Sequence, residues 1–128
     1  MQLSILTVRL SICRLASDNG LPEWLPTDGF LSITRTADEL SIVCEERYVP
    51  DEVQSQRGWV GFKVQGPIDF SEVGVLASLA TPLAESGVSI FAISTYDTDY
   101  VLIGEKDLEQ SLVVLAAAGH KISQGVQS

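Results

Sequence analysis

Two apolar runs divided by a short acidic turn, in GVSIFAISTYDTDYVLIGE (Gly87 to Glu105), constrain the fold of this chain more than any other stretch. Residues 90–94 and 100–103 are rich in the β-branched and aromatic side chains that fit a pleated surface, and TYDT between them is turn chemistry. The segment predicts a hairpin whose tip carries Asp97 and Asp99. A weaker copy, FLSITRTADELSIVCEE, lies about sixty positions earlier and sets Ile33 against Ile93, Thr36 against Tyr96, Glu39 against Asp99 and Leu40 against Tyr100. Internal duplication is the first structural expectation.

The remaining segments fill in around the two hairpins. Residues 3–15 alternate as a long strand or a strand with a bend. Residues 17–28 hold Gly20, Pro22 and Pro26, which predicts a loop with one short helical turn around Glu23 and Trp24. The polar stretch 46–58 reads as a linker in which Val49 and Val53 could anchor a short helix, and 59–64 reads as a strand ended by Gly66 and Pro67. Asp69 followed by Glu72 resembles a capping box, with Ile68 and Val73 placed for a hydrophobic staple, so a helix is expected from there to Gly87. Its apolar face would be Val73, Leu76, Ala77, Ala80, Leu83 and Ala84, with Pro82 as a dissenting residue. A second helix is expected over 107–118 through Leu108, Leu112, Leu115 and Ala116, followed by a short strand from His120. The second half thus runs strand, helix, strand, strand, helix, strand. That is the split βαβ order of a ferredoxin-like α+β sandwich, and the first half is an abbreviated version of it.

Composition narrows the functional classes. Eight basic against seventeen acidic residues give a formal charge of −9, with no cluster of Lys or Arg to neutralise several phosphates. Nucleic acid and anionic membrane are therefore not expected partners. No apolar run is long enough to span a bilayer, and Arg9 and Arg14 break the opening run that would otherwise resemble a signal peptide, so a cytoplasmic location is expected. Cys13 and Cys44 stand alone in strand patterns and read as buried thiols, with a disulfide between them as the alternative that the sequence leaves open. Asp97, Asp99 and Glu105 offer oxygens, but their spacing falls short of a calcium loop, so no metal is expected. No nucleophile elbow, dinucleotide fingerprint, phosphate loop or zinc-protease motif is present, and the single His lies in no recognisable catalytic arrangement. Neither catalysis nor a cofactor is expected.

With SITRTADELSIVC and GPIDFSEVGVLASLATPLAESGVSIFAISTYDTDYVLI in view, the chain resembles the bacterial tandem ACT-domain proteins over nearly its whole length. It is more distantly similar to the ACT domains of the Castor arginine sensors of animal cells. The resemblance implies two ferredoxin-like lobes, 1–58 and 59–128, and a regulatory module that binds an amino acid or similar small molecule at a lobe or subunit interface. A homodimer is expected on the same ground. In that family the ligand sits at the turn from the first strand to the first helix, here Gly66, Pro67, Ile68, Asp69, Phe70 and Ser71. The resemblance adds the hairpin tip of Thr95, Tyr96, Asp97, Thr98 and Asp99, with Asp99 first and Asp97 second as the ligand-contacting aspartate. An α-amino acid needs backbone donors for its carboxylate and a carboxylate for its ammonium, and these two segments offer both. The competing expectation is an assembly module whose pocket is vestigial, in which Asp69 caps a helix and the tip aspartates only shape a turn.

Overall fold

The computed structural model describes residues 1–69 and 71–126. Eight strands and two α-helices occur among them: β1 (Gln2–Leu6), β2 (Leu10–Leu15), β3 (Leu31–Arg35), β4 (Leu40–Glu45), β5 (Ser55–Val64), α1 (Val75–Glu85), β6 (Ile90–Ser94), β7 (Asp99–Gly104), α2 (Leu108–Ala117) and β8 (Lys121–Val126). Contacts divide the chain into a first unit, Val8–Trp59, and a second unit made of Met1–Thr7 with Val60–Val126.

In the second unit the order β5, α1, β6, β7, α2, β8 is the split βαβ order expected of a ferredoxin-like α+β fold. β7 pairs with both β5 and β6. β1 is an addition: it runs antiparallel to β5 in the register Leu3↔Val64 and parallel to β8 in the register Leu3↔Ile122, so it lies between them. The expected first lobe, 1–58, includes residues 1–7. By contact they group with 60–126, because the expected bend falls at Thr7 to Arg9 and sends β1 and β2 to different units.

Period-two alternation selects the core face of this sheet. Leu3, Ile5, Val60, Phe62, Val64, Val101 and Ile103 point to one cluster, completed by Leu79 and Leu83 of α1 and Leu115 of α2. The face of α1 differs from expectation. Leu79 is fully buried, whereas Ala77 and Ala84 are exposed and Val73, before the helix, is 96% exposed. The helix begins at Val75, several residues later than the capping box predicts, with Gly74 as its N-cap at φ 82 and no side-chain cap among the described residues. The buried stripe therefore follows Val75, Leu79 and Leu83. The expected stop holds: the Val88 amide donates to the Leu83 carbonyl around Gly87, and α1 continues through Pro82 to Glu85.

The first unit has the same strand order without the helices. β3 pairs with β4, β4 with β2, and β2 with the first half of β5, all antiparallel. Residues 16–30 occupy the place of the first helix, with only a turn at Pro22–Leu25 where a helical turn was expected. A single 3-10 turn, Glu46–Tyr48, stands where the second helix would be. The Arg57 guanidinium ties that turn down by donating to the carbonyls of Glu46, Val49 and Pro50. The expected linker 46–58 is thus structured, and its end belongs to β5, which starts at Ser55 rather than at residue 59. Cys13, Leu40, Ile42, Cys44 and Val49 form the core, covered by half-buried Trp24, Leu25 and Val53. Both cysteines are free and buried. Burial pushes the Cys13 thiol up, and burial together with the nearby Cys13 and Glu45 pushes the Cys44 thiol up to about 12.

The two hairpins share a turn. The Thr36 amide donates to the Glu39 carbonyl at 2.9 Å, and the Thr95 amide donates to the Thr98 carbonyl at 2.8 Å. In both turns the threonine hydroxyl also accepts from a backbone amide, of Asp38 and Glu39 in one and of Thr98 in the other. Register therefore matches Thr36 with Thr95, Glu39 with Thr98 and Leu40 with Asp99. The sequence pairing is displaced by one residue, because it aligned the apolar side chains and not the hydrogen-bonded turn.

Candidate functional site

The second unit holds a cleft of about 290 Å³ lined by Ile68, Asp69, Glu72, Gly74, Val75, Leu76, Ser94, Thr95, Tyr96, Thr98 and Asp99. Three elements build it: the segment after β5, the start of α1, and the β6–β7 tip. Their convergence rests on backbone packing. The Ile68 amide donates to the Asp97 carbonyl at 2.6 Å. A Cβ at Gly66 would lie 2.9 Å from that same carbonyl oxygen and 3.2 Å from the Thr98 Cβ, so the close approach requires glycine. Thr98 is buried, and its hydroxyl donates to the Val64 carbonyl at 2.6 Å, pinning the tip to the end of β5.

Of the residues singled out in the sequence, Ile68, Asp69, Thr95, Tyr96, Thr98 and Asp99 line this one cleft. Gly66 and Asp97 hold the loops together through their backbones, while Pro67, in a cis peptide bond with Gly66, lies next to them without lining the cleft. Ser71 is exposed and engaged by Asp69, and Phe70 lies outside the described residues. Glu72, Gly74, Val75, Leu76 and Ser94 also line the cleft and were missed. Gly74, two residues beyond the false capping box, was the available signal for them, since it permits a later helix start.

The electrostatics divide the cleft. Asp69 does not cap α1. Its Oδ1 accepts from the Ser71 amide at 2.9 Å and the Ser71 hydroxyl at 3.0 Å, and these bonds hold its carboxyl below the usual carboxylate range. The first amides of α1 consequently have no side-chain cap among the described residues, and Gly74, Val75 and Leu76 present that helix start to the cleft. Opposite them the half-buried Asp99 accepts from the Ser94 hydroxyl at 2.6 Å through Oδ1. One wall therefore suits an anion and the other a cation. Among the described residues no group of three or more His, Cys, Asp or Glu is arranged to hold a metal ion. No helix among them is long and apolar enough to cross a membrane. His120 is buried, its Nε2 being 2.9 Å from the Ser78 carbonyl, and takes no part in the cleft. A larger concavity lies in the first unit and shares no residue with this one.

Comparison with known proteins adds family to geometry. The family model described as "ACT domain" matches residues 54–117, and a separate model of an N-terminal domain matches 9–52. The chain is 31% identical over 98 residues to the cytosolic arginine sensor for mTORC1 subunit 1 of Bos taurus, covering 68% of this chain and 30% of that protein. It therefore spans less than a third of that relative's length. A crystal structure of an Agrobacterium tumefaciens protein superposes with a TM-score of 0.91 at 42% identity, covering 98% of this chain and 93% of the other. The ligand-free regulatory subunit of aspartate kinase from Thermus thermophilus shares the fold, with a TM-score of 0.65 at 13% identity over 91% of this chain and 97% of that one.

Proposed function

This chain belongs to the ACT-domain family, and we propose that it is a non-enzymatic regulatory module that binds an amino acid or a similar small zwitterion in the second unit's cleft. The observation that carries this reading is the juxtaposition of an uncapped helix start with the Asp99 carboxylate across one small cleft. The ligand carboxylate is met by the amides at Val75 and Leu76, where the helix dipole favours negative charge. The ligand ammonium pairs with Asp99, and Asp69 adds a second negative charge at the mouth. A cleft of about 290 Å³ sits at the small end of the range for ligand sites, which suits a ligand of amino-acid size. Relatives named as an arginine sensor and as a regulatory subunit of aspartate kinase support the regulatory class.

Binding would work by differential affinity, favouring one arrangement of lobes or subunits over another. Val73 at 96% exposure and Tyr96 at 81% exposure place apolar surface beside the cleft, which supports a homodimer that closes over the ligand. A cytoplasmic location fits the cytosolic relative.

A thermal-shift screen against the twenty amino acids tests the reading. A ligand bound only by the folded state adds about 2.7 kcal/mol at a hundredfold excess over Kd. At least one amino acid is expected to raise Tm at millimolar concentration, and Asp99→Ala should abolish that rise without lowering the ligand-free Tm. Failure of all twenty would leave the assembly-module reading in its place.

A further inference from the structure

Asn19 is the only asparagine of the chain, and it stands directly before a glycine. Asn19 and Gly20 lie in the segment between β2 and β3, flanked by Asp18 and Leu21, and all four residues are exposed. The chain is held on both sides of the pair. Before it, the Asn19 amide donates to the Ala16 carbonyl at 3.0 Å, and the Arg35 guanidinium ties the turn to the end of β3 by donating to the Ser17 carbonyl. After it, the Leu25 amide donates to the Pro22 carbonyl at 3.3 Å. Neither concavity of the molecule uses this dipeptide.

The chemistry of the pair follows from what surrounds the Gly20 nitrogen. Its N–H donates no hydrogen bond among the described residues. Nothing outside its chain neighbours lies within 4 Å of where a Cβ would stand, so that side of the nitrogen is open, and glycine leaves the backbone free to rotate. The electrophile is turned the same way. Asn19 Nδ2 donates to the Gly20 carbonyl at 2.7 Å, which folds the side-chain amide back over the Gly20 peptide and brings its Cγ toward the Gly20 nitrogen. Asp28–Gly29, at the other end of the same segment, is the internal contrast. Gly29 is fixed at φ 77 with no room for a Cβ beside the buried Glu45 carboxylate, whose charge also opposes loss of a proton nearby.

We infer that Asn19 is a modification site, deamidated spontaneously by attack of the Gly20 backbone nitrogen on its side-chain amide. Hydroxide takes the Gly20 amide proton, the nitrogen attacks Asn19 Cγ, the N–Cγ bond forms and the Cγ–Nδ2 bond breaks, and the leaving nitrogen departs as ammonia with a proton from water. Water then opens the cyclic imide at either carbonyl, giving aspartate or its β-linked isomer, with no net oxidation or reduction. Either product puts a new carboxylate beside Asp18. The β-linked isomer also adds a methylene to the backbone of the segment that brings half-buried Trp24 and Leu25 over the first unit's core. Its chemistry makes it a methyl acceptor for an S-adenosylmethionine-dependent isoaspartyl carboxyl methyltransferase.

The test ages the folded full chain in mildly acidic and in mildly alkaline buffer and follows it by peptide mass mapping, with an isoaspartyl methyltransferase and labelled S-adenosylmethionine as the probe for the β-linked product. The expected result is replacement of NH by O localised to residue 19, faster in the alkaline buffer, with methyl label appearing on the same peptide and residue 28 unchanged. Asn19→Gln should remove the signal. Gly20→Ala should slow it about tenfold, the equivalent of about 1.4 kcal/mol at the ring-closing barrier. Both positions are exposed, so these variants keep the fold. No conversion in the folded chain, conversion only after unfolding in urea, methyl label at residue 28 instead of 19, or a Gly20→Ala chain that ages as fast as the parent would each overturn the inference.

Discussion

The first and second units share a strand order and a hairpin turn, yet only the second keeps its helices. In the second, Leu79, Leu83 and Leu115 bring fully buried side chains onto the sheet. In the first, half-buried Trp24, Leu25 and Val53 from loops and turns cover a smaller cluster. The hairpin tips diverge in the same way. The Thr95–Thr98 turn packs against the segment leading to α1, and Thr98 is buried; the Thr36–Glu39 turn has exposed residues through Asp38 and a half-buried Glu39. A helix here does two jobs: it supplies apolar cover, and its start supplies one wall of a polar cleft. Where the helix is replaced by residues 16–30, the concavity instead forms at Gly29 and Glu45.

The largest expected contrast concerns cover. Leu79→Ala removes a fully buried side chain from α1 and should cost about 2–5 kcal/mol in urea unfolding. Leu25→Ala, a half-buried side chain of the covering loop, should cost about 1 kcal/mol. Equal losses would mean that the loop covers its core as fully as the helix does. Next comes close approach: Gly66→Ala forces apart the Ile68 and Asp97 backbones and should cost about 1–3 kcal/mol, as overpacking does. Gly20→Ala in the first unit's loop meets nothing within 4 Å, so its unfolding midpoint should stay put or rise slightly.

The turn comparison is sharpened by Thr98→Val, which leaves the Val64 carbonyl without its donor and should cost about 1–2 kcal/mol. Its register counterpart, Glu39→Ala, should stay within about 0.5 kcal/mol as an outer-turn change. The last expected effect is one of pH. Cys44 has its folded value raised from 9.0 to about 12, so the neutral thiol is favoured by folding. That stability is fully present below the unfolded value and is lost as pH rises from 9.0 toward 12, amounting to roughly 1 kcal/mol by pH 10. Urea midpoints at pH 8 and pH 10 check it, and Cys44→Ser should flatten the difference.

Much of this architecture was legible because hydrophobic period decides it. Both hairpins, the end of α1 at Gly87, α2 and the split βαβ order follow from apolar spacing and turn residues. The start of α1 was not, because a local motif misled: Asp69 and Glu72 stand at capping-box spacing, but Asp69 spends its carboxylate on Ser71 and the helix waits for Gly74. Long-range pairing was equally hidden. Nothing in residues 3–6 says that their partners are β5 and β8, and β5 extends back to Ser55 because β2 offers it a ladder. For the site, the segments on either side of the cleft were readable from family likeness and polar chemistry, whereas its helix wall at Val75 and Leu76 depended on that misplaced start. The burial of Glu45 was equally hidden, since its closeness to Gly29 joins positions sixteen apart through a hairpin register.

The most direct measurement is amide chemical-shift mapping of the unlabelled amino acid that gives the largest thermal shift, titrated into the isotope-labelled chain. Saturable changes concentrated at Ile68, Asp69, Val75, Leu76 and Ser94 to Asp99, with the Val75 and Leu76 amides moving most, are the predicted result. A ligand whose changes fall on Thr36 to Glu39, or that leaves the start of α1 unmoved, would contradict a binding cleft built by that helix.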